Sequence, residues 1–303
     1  MSSTVLAPLL GLVVAFLFAL SAYFQQRAAR RTHRQGRSVA AAAVALMSTL
    51  VRDRIWLQGW GFNLAGFAVQ ALALHLGSVA TVQPMLATQL LFALPMSSLE
   101  RRIWPRALDW LGAGCLCAGL VVLILVVHVK PLEGNPDRGR ILLSVIAVAA
   151  AIVVLIPMAS RLGPGALVLV SGACAGLCFA MTAVFIKLTT DDLVNHGVGY
   201  TARDWVGYAL AGSTLVGLVL GQGAFANGPL PWAVAAKETS NPLASYAIGV
   251  LAFPVQFPTD AGALTGLGLA GALVVTGAVA LAHSPSAEVW LRRTEDQGAH
   301  AVS

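Results

Sequence analysis

Apolar positions along this chain gather into blocks of about 20 residues, separated by short polar turns. A helix of roughly 20 apolar residues spans the hydrocarbon core of a bilayer. Nine blocks qualify: 5–26, 57–77, 79–98, 107–128, 140–160, 165–187, 204–221, 230–253 and 263–283. The pattern predicts an all-α, polytopic membrane helical bundle with nine transmembrane helices. The first block is expected to remain a helix, not a cleaved signal peptide. Met1–Thr4 carry no positive charge, the apolar core is too long, and no small-x-small cleavage site follows it.

A tenth run, Ser38–Val51, is short at 14 residues, and composition and charge decide how to read it. Apolar residues make up 57% of the chain and charged residues 11%, with mean hydropathy +0.78, so most of the protein belongs in lipid. Loop charge then sets the topology, because cytoplasmic loops collect Lys and Arg. With nine spans, one side holds the six arginines of 28–56 against Asp53, the three of 99–106 against Glu100, and Arg161. The other side is acidic: Asp191, Asp192, Asp204 and Asp260 outweigh Arg203 and the nearly balanced 129–140 segment. A tenth span would move one of the two arginine-rich loops outside. The expectation is nine helices in the cell membrane, N-terminus outside and C-terminus cytoplasmic, with 38–51 an interfacial or half-inserted helix. The net charge of +6 follows from that topology. No basic domain interleaved with stacking aromatics is present, so nucleic acid is not an expected partner.

Internal repetition carries more information than any single residue. Phe18–Phe24 (FALSAYF) matches Phe179–Phe185 (FAMTAVF) at an offset of 161, with Ser21 answering Thr182. Gly61–Gly66 (GFNLAG) matches Gly207–Gly212 (GYALAG) at an offset of 146, and the 38–51 insertion accounts for the difference. Gln83-Pro84 leading to LFALP is answered by Asn241-Pro242 leading to VLAFP. The expected organisation is a first four-helix repeat (1–128), a connecting loop and helix (129–162), a second four-helix repeat (163–285) and a polar tail (286–303). One odd helix between the repeats makes them cross in opposite senses. Such an inverted-topology repeat is the signature of secondary transporters.

The segments FALSAYFQQRAA, LAGFAVQALALHLGSVATVQPMLATQLLFALP, GACAGLCFAMTAVFIKLTTDD and NPLASYAIGVLAF resemble the drug/metabolite transporter superfamily. Within it the chain looks like the actinobacterial EamA-like branch, which is similar to NIPA-type magnesium transporters. The likeness runs over residues 5–285. It implies nine or ten helices around a central cavity lined by the first, third, sixth and eighth blocks, with parts of the second and seventh.

Candidate pathway residues follow from the cost of polar groups in lipid. Helix-interior prolines remove a backbone hydrogen bond and are tolerated at membrane depth where the backbone is buried or lines a wet cavity. Pro84 and Pro242 sit at repeat-related positions, each behind a side-chain amide, Gln83 and Asn241; the plain alternative is a kink with a packing amide. Lys237 and Glu238 are charges within the eighth block, to be faced inward or placed at the interface. Being adjacent on a helix, they are expected not to partner each other. Gln25, Gln70 and Gln89 have no backbone reason to be in lipid. Thr182 and Tyr246 complete the set, although Thr commonly bonds back to its own helix. Lys187 and Arg27 read as interfacial anchors, and His75 as a solvated helix end.

Cys115, Cys117, Cys174 and Cys178 all fall inside blocks, which implies no disulfide framework. Cys174 and Cys178 are one turn apart, but close packing beside Gly172 and Gly176 explains them without a metal. No cofactor is expected. The partners expected are the lipid bilayer and a small-molecule or ion solute. Magnesium would need hard oxygen ligands, and the pathway offers Glu238 with Lys237 alongside to oppose a cation. An enzyme is not expected: there is no HExxH, and the acidic pair of TTDD at 189–192 lacks a second acidic cluster.

Overall fold

The computed structural model describes residues 3–32, 47–76, 79–101, 104–127, 137–252 and 260–283. Among these the chain is helical, with no strand. Its helices are α1 (Ser3–Thr32), α2 (Arg54–Leu76), α3 (Val79–Ala87), α4 (Gln89–Arg101), α5 (Ala107–Val127) and α6 (Arg138–Leu162). They continue with α7 (Pro164–His196), α8 (Val198–Thr201), α9 (Trp205–Asn227), α10 (Leu230–Ala252) and α11 (Ala261–Ala282). Six of them, α1, α5, α6, α7, α9 and α11, are long and apolar enough to cross a membrane. Of the 38–51 run, residues 47–50 are helical, Val51 lies in a turn, and 38–46 lie outside the described residues.

Two helices differ from the sequence pattern. The third block is not one helix but α3 and α4, divided at Thr88. Pro84 interrupts the ladder, and four residues later the Thr88 N–H donates to Met85 O at 3.1 Å, three residues back, while its hydroxyl donates to the same carbonyl at 2.6 Å. The sixth block does not end at 187. Its helix α7 runs to His196, roughly 50 Å in all. The polar extension is held by Lys187 Nζ to Asp191 Oδ2 at 2.9 Å and by the ion pairs of Asp192 described below. It stops at Gly197, whose φ of 78° is open to glycine and whose N–H caps Leu193 O.

The chain forms two compact units. The first contains α1–α5, residues 225–235 and α11. Here α2 lies on α1 through glycines. A Cβ on Gly59 would come within 3.0 Å of Ser21 O, and one on Gly66 would meet the Phe18 ring at 2.6 Å. Phe24 stacks on Phe62, and Phe18 meets Phe67 edge-on. The last helices of the two expected repeats, α5 and α11, pack on each other antiparallel. Gly112 faces Gly277 and Leu281, Gly119 faces Ala270 and Val274, and Gly266 faces Val126. Small residues let helices approach where lipid supplies no hydrophobic drive.

The second unit contains α6–α8, α9 to Ala224 and α10 from Ala236. Its core joins Ile141 of α6, Met181, Val184 and Phe185 of α7, Val206 of α9, and Ile248 of α10. Phe185 also meets Trp205 edge-on. Only 17% of the apolar window of α6 is buried, leaving Leu143, Ile146, Val153 and Val154 exposed. An apolar surface of that extent is compatible with a helix that faces lipid.

The α5–α11 seam makes a measurable prediction. Alanine at Gly277 would put a Cβ 2.6 Å from Gly112 O and 2.7 Å from Leu116 N, both backbone atoms. Gly277→Ala is expected to destabilise by about 1–3 kcal/mol. Gly114 has nothing within 4 Å of a Cβ, so Gly114→Ala is expected to be neutral or stabilising by up to ~1 kcal/mol through helix propensity. Melting temperatures of the two purified variants check the contrast.

Candidate functional site

The polar segment of α10 is the densest collection of candidate residues. Its α10 backbone rests against α7 at Gly176, where a Cβ would lie 2.5 Å from Lys237 O and 3.0 Å from Asn241 N. Ser240 Oγ fixes the contact by donating to Ala173 O of α7 at 2.9 Å. Pro242 lies inside the helix and has no N–H for the Glu238 carbonyl, so the ladder is open at that oxygen.

Lys237 and Glu238 do partner each other, which corrects the expectation from helical spacing. Lys237 Nζ lies 3.0 Å from Glu238 Oε1, with the side chains 24% and 34% exposed. The two Cβ atoms diverge by about 100°, but the four-carbon lysine stem crosses that gap. Ser245 Oγ donates to Asn241 Oδ1 at 3.5 Å, one turn on. Tyr246 is half-buried beyond it.

The remaining candidates are placed separately. Thr182 Oγ1 donates to Cys178 O at 2.9 Å and lies 2.9 Å from Ser213 Oγ of α9. In the first unit, buried Gln25 donates to Ser21 Oγ at 2.8 Å. Pro84 and Gln89 are buried in α3 and at the start of α4, and Gln70 is half-buried in α2. The Gln83 side chain lies outside the described residues. The structure therefore gathers Lys237, Glu238, Asn241 and Pro242 on α10, and leaves Thr182 in a separate hydroxyl cluster. The four cysteines are free thiols.

Two polar arrangements escaped the sequence reading. Gln26, 2% exposed, donates to Gly228 O at 2.7 Å, and Arg30 donates to the same carbonyl at 2.6 Å. Both close the end of α9, whose last carbonyls have no partner in their own helix. In the second unit, Arg138 at the start of α6 binds Asp192 of α7 through both carboxylate oxygens, at 3.0 and 3.1 Å, and Asp204 at 2.8 Å. His196 Nδ1 lies 3.9 Å from Asp192 and its ring packs on Tyr200. A cavity of 410 Å³ lined by Gly199, Tyr200, Arg203 and Asp204 opens beside it. The signal available was the arginine at a helix start facing acidic residues 54 and 66 positions away, a separation no local pattern encodes.

No family model and no solved structure matches the chain. An uncharacterized protein of Corynebacterium glutamicum is 27% identical over 289 residues, covering 94% of this chain and 97% of that protein.

The Arg138 cluster predicts a pH dependence. Burial pushes the Asp204 carboxyl up, but hydrogen bonds from Arg138 and with Asp192 outweigh it and hold it below the usual carboxylate value. A lowered folded-state value stabilises the fold above the unfolded value of about 4, and that contribution is lost as pH falls through the folded value. Asp204→Asn is expected to cost up to about 1 kcal/mol at pH 7. The difference from the parent protein should vanish at acidic pH, as read from melting temperatures between pH 7 and 3.

Proposed function

We propose that the chain is a secondary transporter that moves a small solute across the cell membrane by alternating access. In this reading α2, the α3–α4 pair and α10 join the six apolar helices as nine spans, arranged as an inverted-topology repeat of the drug/metabolite transporter type, EamA-like branch. The single observation that carries it is the repeat-related placement of a helix-interior proline, Pro84 in α3 and Pro242 in α10, each of which leaves a backbone carbonyl without its helical partner. Weakened helices at matching places in two halves point to a solute site. Ser21 and Thr182, which answer each other in the repeat, each take part in a side-chain hydrogen bond.

A NIPA-like divalent cation transporter is the alternative. Glu238 argues against it, since its carboxylate is already neutralised by Lys237, and a cation would have to displace the ammonium. Nothing in the site calls for a chemical reaction, and we read the protein as a non-enzyme.

Thermal shift of the purified protein against metabolite and cation panels tests the reading, because a ligand that binds only the folded state raises its apparent stability. An organic solute is expected to stabilise, and Asn241→Ala to abolish that shift with little loss of the unliganded melting temperature. Stabilisation by magnesium alone, strengthened in Lys237→Met, would favour the cation transporter. Topology supplies a second check. Single cysteines in 188–203 and 129–139 are expected to react with an impermeant reagent from outside, and those in 28–37 and 99–106 are not. Outside labelling of 28–37 would overturn the nine-span arrangement.

A further inference from the structure

The end of α1 and the start of α2 carry a concentration of charge that the proposed function does not use. Arg27, Arg30 and Arg31 lie in the last turns of α1, and Arg52 and Arg54 flank Asp53 at the start of α2. Gly66 rests on Phe18 and Gly59 on Ser21 and Gln25, so the two helices run antiparallel. The residues one to two turns ahead of Gly59 therefore stand level with 27–31, and the arginines collect at one end of the pair. Arg30 is committed to Gly228 O at 2.6 Å. Among the described residues Arg27, Arg31, Arg52 and Arg54 form no ion pair with a carboxylate. Asp53 spends its Oδ1 on the N–H groups of Ile55 and Trp56, at 2.7 and 3.2 Å, as the cap of α2. Four like charges gathered without counter-charges repel one another, and a bound anion relieves them.

From that end the outward face of α2 continues as an apolar lane. Arg54, Leu57, Gly61, Leu64 and Ala68 recur at steps of three and four residues and are all exposed, so they share one face. The buried Gly59 and Gly66 hold the opposite side against α1. A Cβ on Gly61 would meet nothing within 4 Å, which leaves a notch between Leu57 and Leu64. Arg54 and Leu64 are about 15 Å apart along the axis, roughly half the thickness of a hydrocarbon core. Trp56 and Trp60, with ring centroids 5.7 Å apart, sit in the first two turns, at the depth that indoles favour between headgroups and chains.

We propose that this end of α1 and α2 binds an anionic phospholipid, its phosphate held by Arg27, Arg31, Arg52 and Arg54 and one acyl chain lying along Leu57, Gly61 and Leu64. Guanidinium groups match phosphate oxygens in pairs. A free phosphate satisfies the arginines and leaves the lane empty, whereas a lipid fills both. The site needs α1 and α2 to lie in a bilayer and does not depend on transport.

The test is a binding series on the purified full-length protein in a neutral detergent. The probes are dioleoyl phosphatidylglycerol, dioleoyl phosphatidylcholine and inorganic phosphate. Phosphatidylglycerol is expected to raise the melting temperature and to bind about tenfold or more tighter than phosphatidylcholine, and inorganic phosphate to leave the melting temperature unchanged. An arginine facing an anionic headgroup contributes a factor of about five, so Arg52→Gln/Arg54→Gln is expected to weaken phosphatidylglycerol roughly 25-fold and phosphatidylcholine hardly at all. Gly61→Leu fills the notch without meeting protein atoms. It is expected to weaken phosphatidylglycerol several-fold while the lipid-free melting temperature stays level or rises, a combination that a folding defect does not produce. Equal binding of the two lipids, full phosphatidylglycerol affinity in both variants, or the same stabilisation by inorganic phosphate overturns the proposal. So does a dimer in phosphatidylcholine micelles that Gly61→Leu disperses, because the outward face of α2 then belongs to a second copy of the chain.

Discussion

The constraint on which the structure depends is that a bilayer interior offers no hydrogen bonds. Every backbone N–H and C=O at membrane depth must find its partner within the protein. That requirement makes the described chain helical, and it makes each break in a helix conspicuous. It also removes the usual drive for helix association, since a leucine is as well solvated by lipid as by another leucine. What remains is close approach. The glycines at 59 and 66 on α2, at 112 and 119 on α5, and at 266 and 277 on α11 let backbones come near enough for dispersion and backbone dipoles to hold the first unit. Gly217 and Gly176 serve the same end in the second.

Against that regular background the polar segment of α10 is an exception that the fold actively supports. Gly176 allows α7 to lie directly on residues 237–241, and Ser240 ties the two helices together just before Pro242 opens the ladder. The charges at 237 and 238 tolerate their surroundings because each neutralises the other. A net-neutral, rigidly backed polar island is inexpensive to keep in an apolar helix. In the proposed reading stability and recognition place the same demands on this stretch, and the Arg138–Asp192–Asp204 cluster is a separate device that fastens helix ends where water is available.

Much of this was legible in the sequence. Blocks of apolar residues gave the starts of the long helices to within three residues, because lipid acts uniformly along a span, whereas the helices α1, α7 and α9 run six to nine residues past their blocks. Pro84 preceded the split of the third block, whereas α10 runs unbroken through Pro242. Four features were not legible. The α7 extension to His196 looks like a loop in hydropathy, and it is helical because Lys187 and Arg138 satisfy its acids. The split at Thr88 is a choice of carbonyl, between residues 84 and 85, that composition cannot express. The Lys237–Glu238 pair was excluded by Cβ geometry and is made by side-chain length. Gln26 and Arg30 were visible as polar residues, but their acceptor at Gly228 is about 200 residues away, beyond any local rule.

The central claim is that the α10 segment is a solute site opened alternately to the two sides of the membrane. Thiol accessibility at Ser245, one turn beyond Asn241 and half-buried, measures it most directly. A Ser245→Cys variant, in a background with the four native cysteines replaced, would be probed with an impermeant reagent in right-side-out and in inside-out vesicles. The account predicts reaction from both sides, with a bound solute shifting the two rates in opposite directions. Reaction from one side only, unchanged by any solute that stabilises the protein, would contradict it.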